Sequence, residues 1–359
     1  MNALAARLTS LLLRARPGGR PDSVAGVVQW FGAMQAQDMA SGLWSLGARL
    51  PGSTVDDVTA ALERREAIRT WPMRGTVHLV PPREARWMLE LMGVRALAGA
   101  AARRATLGLS AADADRGVEL LAAALAGGNR LTRAQCLGVL AEGGLEVGGQ
   151  RGYHLLWFAS QQGVTAIAPH IGKEQTFVLL GEWAPDPRRP SRDEALALIA
   201  SWFFRSHGPA TVADLARWTG LPVKDCRAGV AGAGDALAAV GDRLLDPGLL
   251  DAEVPELDGE WLALPGFDEY LLGYRDRSLM VDDAHKQAII PGGNGVFQAT
   301  IVRDGRVVGT WKRNLTKKAV VVSAQPLVPF GAAERKCAEA ALQPYAEFLR
   351  LPLEVRWPP

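Results

Sequence analysis

Gly208-Pro-Ala-Thr-Val-Ala-Asp-Leu-Ala-Arg-Trp-Thr-Gly-Leu-Pro222 reads as a turn, a capped helix, a stop and the opening of a further helix. Thr211 is an N-cap candidate, and Asp214 stands where it can reach back to the cap backbone. Gly220 supplies the stop, because a left-handed residue ends a helix at little cost. Pro222 suits the start of the next helix, where its missing N–H is not needed. Upstream, Ser191 can cap a helix whose face carries Ala195, Leu198 and Trp202.

The same order recurs toward the N-terminus. Thr54 and Thr132 also stand three residues before an acid or amide, Asp57 and Gln135, and the three threonines are 78 and 79 residues apart. A helical face precedes each: Val24, Val27, Val28 and Phe31 after Asp22, and Val118, Leu121 and Leu125 after Ser110. Extended, alternating residues follow. Helix, turn, capped helix, recognition helix and β-hairpin is the order of a winged helix. The expected fold is therefore α+β, with three tandem winged-helix modules over 1–105, 106–188 and 189–359, and the three threonines are expected to start the second helix of each. Trp183-Ala-Pro-Asp-Pro-Arg-Arg-Pro190 marks the boundary before the third. That module is expected to carry a β-rich C-terminal extension. Trp261–Leu264 reads as extended, Asp304-Gly305 as a hairpin turn between apolar runs, 319–323 and 351–357 as strands, and 332–349 as a helix.

Composition sets limits. The chain has 359 residues, 48% hydrophobic and 22% charged, with a formal net charge of only +2. A polyanion-binding surface must then be local. Residues 1–110 hold 14 basic against 8 acidic side chains, and residues 271–320 hold 9 against 4. The cysteines, Cys136, Cys226 and Cys337, are dispersed and odd in number, which argues for a reducing compartment and against a disulfide framework or a cysteine zinc site. No stretch has the length of a membrane span, so the expectation is a cytoplasmic, monomeric protein without a membrane.

Familiar catalytic signatures are missing: there is no Gly-x-Ser-x-Gly, His-Glu-x-x-His or P-loop. Pro291-Gly-Gly-Asn-Gly295 reads as a turn. Asp268, Glu269, Asp276, Asp282 and Asp283 form an acidic scatter without ligand spacing, expected to have surface and structural roles. Two stretches are more informative. In Gln35-Ala36-Gln37, the face begun at Val24 continues onto Gln35, placing an amide inward where it needs partners. The two amides converge only if the helix ends first and the chain extends, and spacing alone favours a buried polar tie between helix and loop. In Thr70-Trp-Pro-Met-Arg-Gly-Thr-Val-His78, strand alternation puts Arg74, Thr76 and His78 on one face. They either line a polar pocket or grip phosphate, or they form the polar face of an ordinary wing strand.

With Leu264-Pro-Gly-Phe-Asp-Glu-Tyr-Leu-Leu-Gly-Tyr-Arg-Asp-Arg277, Gly293-Asn-Gly-Val-Phe297, Asp304-Gly305 and Gly309-Thr-Trp311, these stretches resemble the AlkZ/YcaQ-like winged-helix DNA glycosylases over nearly the whole chain. The resemblance implies a C-shaped arrangement of three winged helices around duplex DNA. It implies removal of N7-alkylated purines and, in some members, unhooking of interstrand crosslinks. The family's catalytic motif maps onto Gln35, Ala36 and Gln37, with no cofactor or metal. Glutamine at its last position resembles the branch associated with protecting an antibiotic producer from its own DNA-crosslinking product. Asp38 is not the motif's acidic position.

The expected chemistry suits amides. An N7-alkylguanine leaves as an already activated group through an oxocarbenium-like transition state, and two amide oxygens can orient water without a strong base. The expected partner is duplex DNA containing alkylated or crosslinked bases. It is gripped through phosphates by Arg64, Arg65, Arg69 and Arg74 and by Arg303, Arg306, Lys312 and Arg313, with the Asp304-Gly305 hairpin probing a groove. Two rivals stand beside this reading. One is a non-catalytic winged-helix DNA-binding regulator, and the other a metal-dependent nuclease using Asp268 and Glu269.

Overall fold

The computed structural model describes residues 2–250, 252–293 and 295–358; Asn294, in the glycine-rich stretch and one of the quoted motifs, lies outside them. The chain opens with α1 (Ala3–Ser10), and then one arrangement appears three times. The first copy runs α2 (Val24–Phe31), β1 (Met34–Gln35), α3 (Met39–Gly47), α4 (Val55–Glu63), β2 (Ile68–Met73) and β3 (Thr76–Val80). Helices α5 (Ala85–Met92) and α6 (Val94–Leu107) connect it to the second. That copy is α7 (Ala111–Leu125), β4 (Leu131–Thr132), α8 (Arg133–Glu142), α9 (Arg151–Gln161), β5 (Thr165–Ile171) and β6 (Glu174–Leu179). After the short α10 (Leu180–Trp183), the third has α11 (Arg192–His207), α12 (Val212–Thr219), α13 (Val223–Ala233), β7 (Ala238–Val240) and β8 (Arg243–Leu245).

In each copy the segment before the second helix pairs with the second strand of the hairpin. The pairs are Gln35 with His78, Thr132 with Thr176, and Ala210 with Leu244. The first two hairpins merge into one six-stranded sheet, ordered β1-β3-β2-β5-β6-β4, joined where Arg69 faces Ile167.

All three threonines cap helices with reciprocal bonds from Asp57, Gln135 and Asp214. Their register differs from expectation. Thr132 and Thr211 start second helices, but Thr54 starts α4, the third helix of its copy. The residue equivalent to Thr132 is Asp38, which caps α3 by accepting from the Ser41 N–H. The near-equal spacing therefore does not mark one repeated position. Helix α3 escaped notice because Met39-Ala-Ser-Gly-Leu-Trp-Ser-Leu-Gly47 contains two glycines and two serines, weak helix formers. Burial selects them instead: a Cβ on Gly42 would sit 2.9 Å from that of Ala36. The first helix is also capped one residue late, by Ser23 rather than Asp22.

After α14 (Pro247–Leu250) the chain forms a five-stranded sheet. Its strands are β9 (Trp261–Leu264), β10 (Ala299–Arg303), β11 (Arg306–Leu315), β12 (Val320–Pro326) and β13 (Leu353–Arg356), with short helices α15 (Glu269–Leu272) and α16 (Lys286–Ile289) between β9 and β10. Helix α17 (Ala332–Leu349) packs on β9 and α3, where Trp44, Trp311, Tyr345 and Phe348 meet. One apolar core spans the first copy, the third copy and this sheet. The second copy has its own core, which includes Trp71 and Val77 of β2 and β3. Strands β2 and β3 are thus covered on both sides, and the polar groups they carry are buried with them.

Candidate catalytic site

Gly32 ends α2 with φ +75°, a value a side chain resists, and a Cβ there would stand 2.4 Å from Trp202. The chain then extends into β1. Gln35 is 7% exposed. Its N–H donates to Glu269 Oε1 at 2.7 Å, and its own Oε1 accepts from Arg74 Nη2 at 3.3 Å. Gln37 is exposed, and its Oε1 accepts from the Val77 N–H at 2.9 Å. Between them Ala36 is buried; its N–H donates to Val77 O and its O accepts from Arg69 Nη2. Both amides are therefore tied to the β2–β3 hairpin, each by one contact, and a carbonyl oxygen has a second lone pair to offer.

The hairpin corrects the expected row of Arg74, Thr76 and His78. Arg74 and Gly75 are a two-residue turn, with φ of 54° and 70°, so alternation breaks between Met73 and Thr76. Arg74 rejoins the site through its long side chain, and its guanidinium is driven below its usual pKa by burial. Thr76 is half-buried, and its hydroxyl points back to Met73 O. His78 does not line a cleft: it is fully buried behind Gln35. Its Nδ1–H donates to Thr76 O at 2.8 Å, and Nε2 has no partner. Burial, then the nearby Arg74 charge, lowers its pKa to about 4.

That value has a measurable consequence. Below pH 6.5, the ordinary value, the unfolded chain takes a proton on His78 that the folded protein refuses until about pH 4. Stability is lost as pH falls through this window. His78→Asn should flatten the pH dependence of stability there, whatever it does to stability at neutral pH. Denaturant titrations at several pH values check this, and parallel wild-type and variant curves would refute it.

Glu269 is the residue that sequence reasoning missed. It is 1% exposed, not a surface group. Its carboxylate accepts from the Gln35 N–H, from Trp218 Nε1 at 2.9 Å and from His207 Nε2 at 3.4 Å. Burial opposes its charge, but His207 foremost, and then the Gln35 N–H, hold its pKa down at about 2. Asp268 is buried too, and takes a bidentate contact from Arg49 at 2.9 and 3.0 Å. Both carboxylates are consumed by protein donors, which removes them as nuclease metal ligands. The one available signal was their place in a long apolar stretch, Leu264 to Leu272.

The basic residues are not gathered as expected. Arg64 pairs with Glu66, Arg65 lies over the Trp183 ring, and Arg69 is buried beneath Ala36. Arg303 lies over the Trp261 ring, and Arg306 donates to Leu279 O. The Asp304-Gly305 turn cannot probe a groove: Leu4 packs on Gly305, the Tyr270 hydroxyl donates to its carbonyl, and Asp304 accepts from the Glu260 N–H. Of the C-terminal group, the far end of β11 approaches the motif. Arg313 bonds Asp38 at 2.6 Å, and Lys312 beside it is exposed. The turn beyond carries exposed Lys317 and Lys318.

The sequence model of the family described as DNA glycosylase AlkZ-like matches residues 28–348. An interstrand DNA cross-link repair glycosylase of Streptomyces sahachiroi is 26% identical over 337 residues, covering 89% of this chain and 90% of that protein. The solved structure of the DNA glycosylase AlkZ from Streptomyces sahachiroi superposes with a TM-score of 0.76 at 24% identity, covering 99% of this chain and 98% of the other. At that identity the likeness speaks for the fold.

Proposed function

Because the chain belongs to the AlkZ-like DNA glycosylase family, we propose that it is a monofunctional glycosylase that hydrolyses the N-glycosidic bond of N7-alkylated purines in duplex DNA and unhooks interstrand crosslinks. The observation that carries this reading is Gln35-Ala36-Gln37 in extended backbone, with both amides anchored to one hairpin and Glu269 fixing the strand from behind. The three repeated arrangements serve as tandem winged helices, near 1–105, 106–188 and 189–359, set in a C around the duplex. The protein works as a cytoplasmic monomer without a cofactor.

The alkylated base leaves as a neutral purine, and positive charge develops on the sugar. The free lone pairs of Gln35 and Gln37 orient the attacking water and face that charge. Neither amide can keep a proton, so the reaction is confined to activated leaving groups. Arg74 is the phosphate contact closest to the motif. A phosphate that draws it away from Gln35 releases that oxygen for the water. The buried Glu269 carboxylate offsets the charges gathered around the site.

The test is metal-free incubation with duplexes carrying N7-methylguanine or an interstrand crosslink. Free alkylbase with an intact sugar–phosphate strand is the expected product. Release from neither substrate would leave a duplex-binding protein without this activity.

A further inference from the structure

Gln37 forms one wall of a cleft of about 680 Å³, whose other walls come from the second repeated arrangement: α8 and the β5–β6 hairpin. Arg133 is the first residue of α8, exposed, with its guanidinium 5.6 Å from the centre of the Tyr153 ring. Lys173 is exposed in the turn between β5 and β6, after Gly172 with φ +62°. Among the described residues neither cation has a carboxylate partner. Arg69 also lines the cleft, at 4% exposure. Its Nη2 is spent on Ala36 O and its Nη1 meets His170 Nε2, while its buried Nε is unpartnered. Against these cations stand Glu174 and Asp38, and Asp38 is already neutralised by Arg313.

We propose that this cleft binds the phosphate backbone of duplex DNA beside the lesion, with Arg133 and Lys173 as direct phosphate contacts and Arg69 as the fixed charge beneath them. The proposal rests on Gln37 lying at the reacting sugar. Three features favour DNA as the occupant. The cleft has excess positive charge next to the motif, and a polyanion is the partner such charge attracts. Its cations sit at a helix start and a hairpin tip, exposed positions from which side chains and backbone N–H groups reach phosphate oxygens. It is also open to solvent and continuous with Gln37, so a strand held there passes the motif without being threaded. Arg313 of β11 reaches the same cleft through Asp38, whereas Arg303 and Arg306 do not line it.

The experiment measures binding of a short undamaged duplex at several salt concentrations by wild type, Arg133→Ala, Lys173→Ala, the double variant and Lys336→Ala. Lys336 is an exposed cation on α17, outside the cleft. Both cleft side chains are exposed, so the fold should survive their loss. Each cleft variant should weaken binding roughly three- to tenfold and reduce the slope of log K against log salt by about one, and the double variant by about two. Lys336→Ala should bind as wild type does. Base release from an N7-methylguanine duplex is measured on wild type alongside, as a separate readout of the glycosylase reading. Wild-type affinity and slope in the double variant would overturn the proposal, as would a wild-type protein that binds no duplex. If the cleft variants lose affinity as expected but wild type releases no base, the cleft stands and the glycosylase reading fails.

Discussion

Replacing either Gln35 or Gln37 by alanine should slow single-turnover release of N7-methylguanine by roughly 100-fold, a loss of about 3 kcal/mol in transition-state stabilisation. The two substitutions are clean for a structural reason. The β1 strand is held by backbone bonds: Gln35 N–H to Glu269, Ala36 N–H to Val77, and Ala36 O to Arg69. None uses an amide side chain of the motif. Gln35→Ala frees Arg74, and Gln37→Ala frees the Val77 N–H, so each removes one polar group from the site while the backbone bonds of the strand remain. Duplex affinity should change little, because phosphate contacts supply it. Parallel measurements of release and binding decide the matter. Unchanged release in both variants would take the glutamines out of the mechanism. Equal losses of release and affinity would make them DNA contacts instead.

The largest effect on stability should come from Arg49→Ala, with a loss of about 3–5 kcal/mol. Arg49 is fully buried. Its guanidinium donates to Leu11 O, to Ser45 O and to both oxygens of Asp268, and it lies 5.0 Å from the Phe31 ring centre. It thereby joins the end of α1, α3 and the start of α15. Removing it strands the Asp268 carboxylate at 3% exposure, with the Ser45 hydroxyl and the Tyr270 N–H as its remaining donors. Such a charge costs far more unpaired than the pair is worth in isolation. Urea unfolding reads the effect directly. The exposed Arg116–Glu119 pair gives the comparison: Arg116→Ala should shift the midpoint very little. A similarly small shift for Arg49→Ala would refute this, meaning that Asp268 is served by other donors.

Much of the local structure could be read from residues alone. Caps at Ser110, Thr132, Ser191 and Thr211, the stop at Gly220, the Asp304-Gly305 turn and the helix over 332–349 rest on short-range chemistry that neighbours in sequence supply. What escaped depends on distant partners. Helix α3 contradicts its own propensities because its glycines pack under Ala36 and against Phe348, and its serines bond Asp38 and Asp268. Glu269 belongs to the site only because Gln35, 234 positions earlier, donates to it. The burial of His78, and the screening of the Asp304-Gly305 tip by Leu4 and Tyr270, likewise follow from packing that no local period encodes. The Gln-x-Gln motif stands out through family resemblance alone. Spacing favours a plain structural tie, and Arg74 and Val77 do tie the two amides to the hairpin.

The pairing of β2 with β5 bears on how the chain must be made. A nascent chain that has delivered β1, β2 and β3 still presents β2 as an open strand edge, with Trp71 and Val77 lacking the second core they belong to. Unpaired edges of this kind recruit other chains. The edge closes only when β5 emerges and Gln161 reaches the Trp71 carbonyl. A cut near residue 105, between the first two hairpins of the shared sheet, would leave that edge open. A fragment ending there would be a template for aggregation, and the smallest soluble N-terminal piece must extend through both hairpins of the shared sheet.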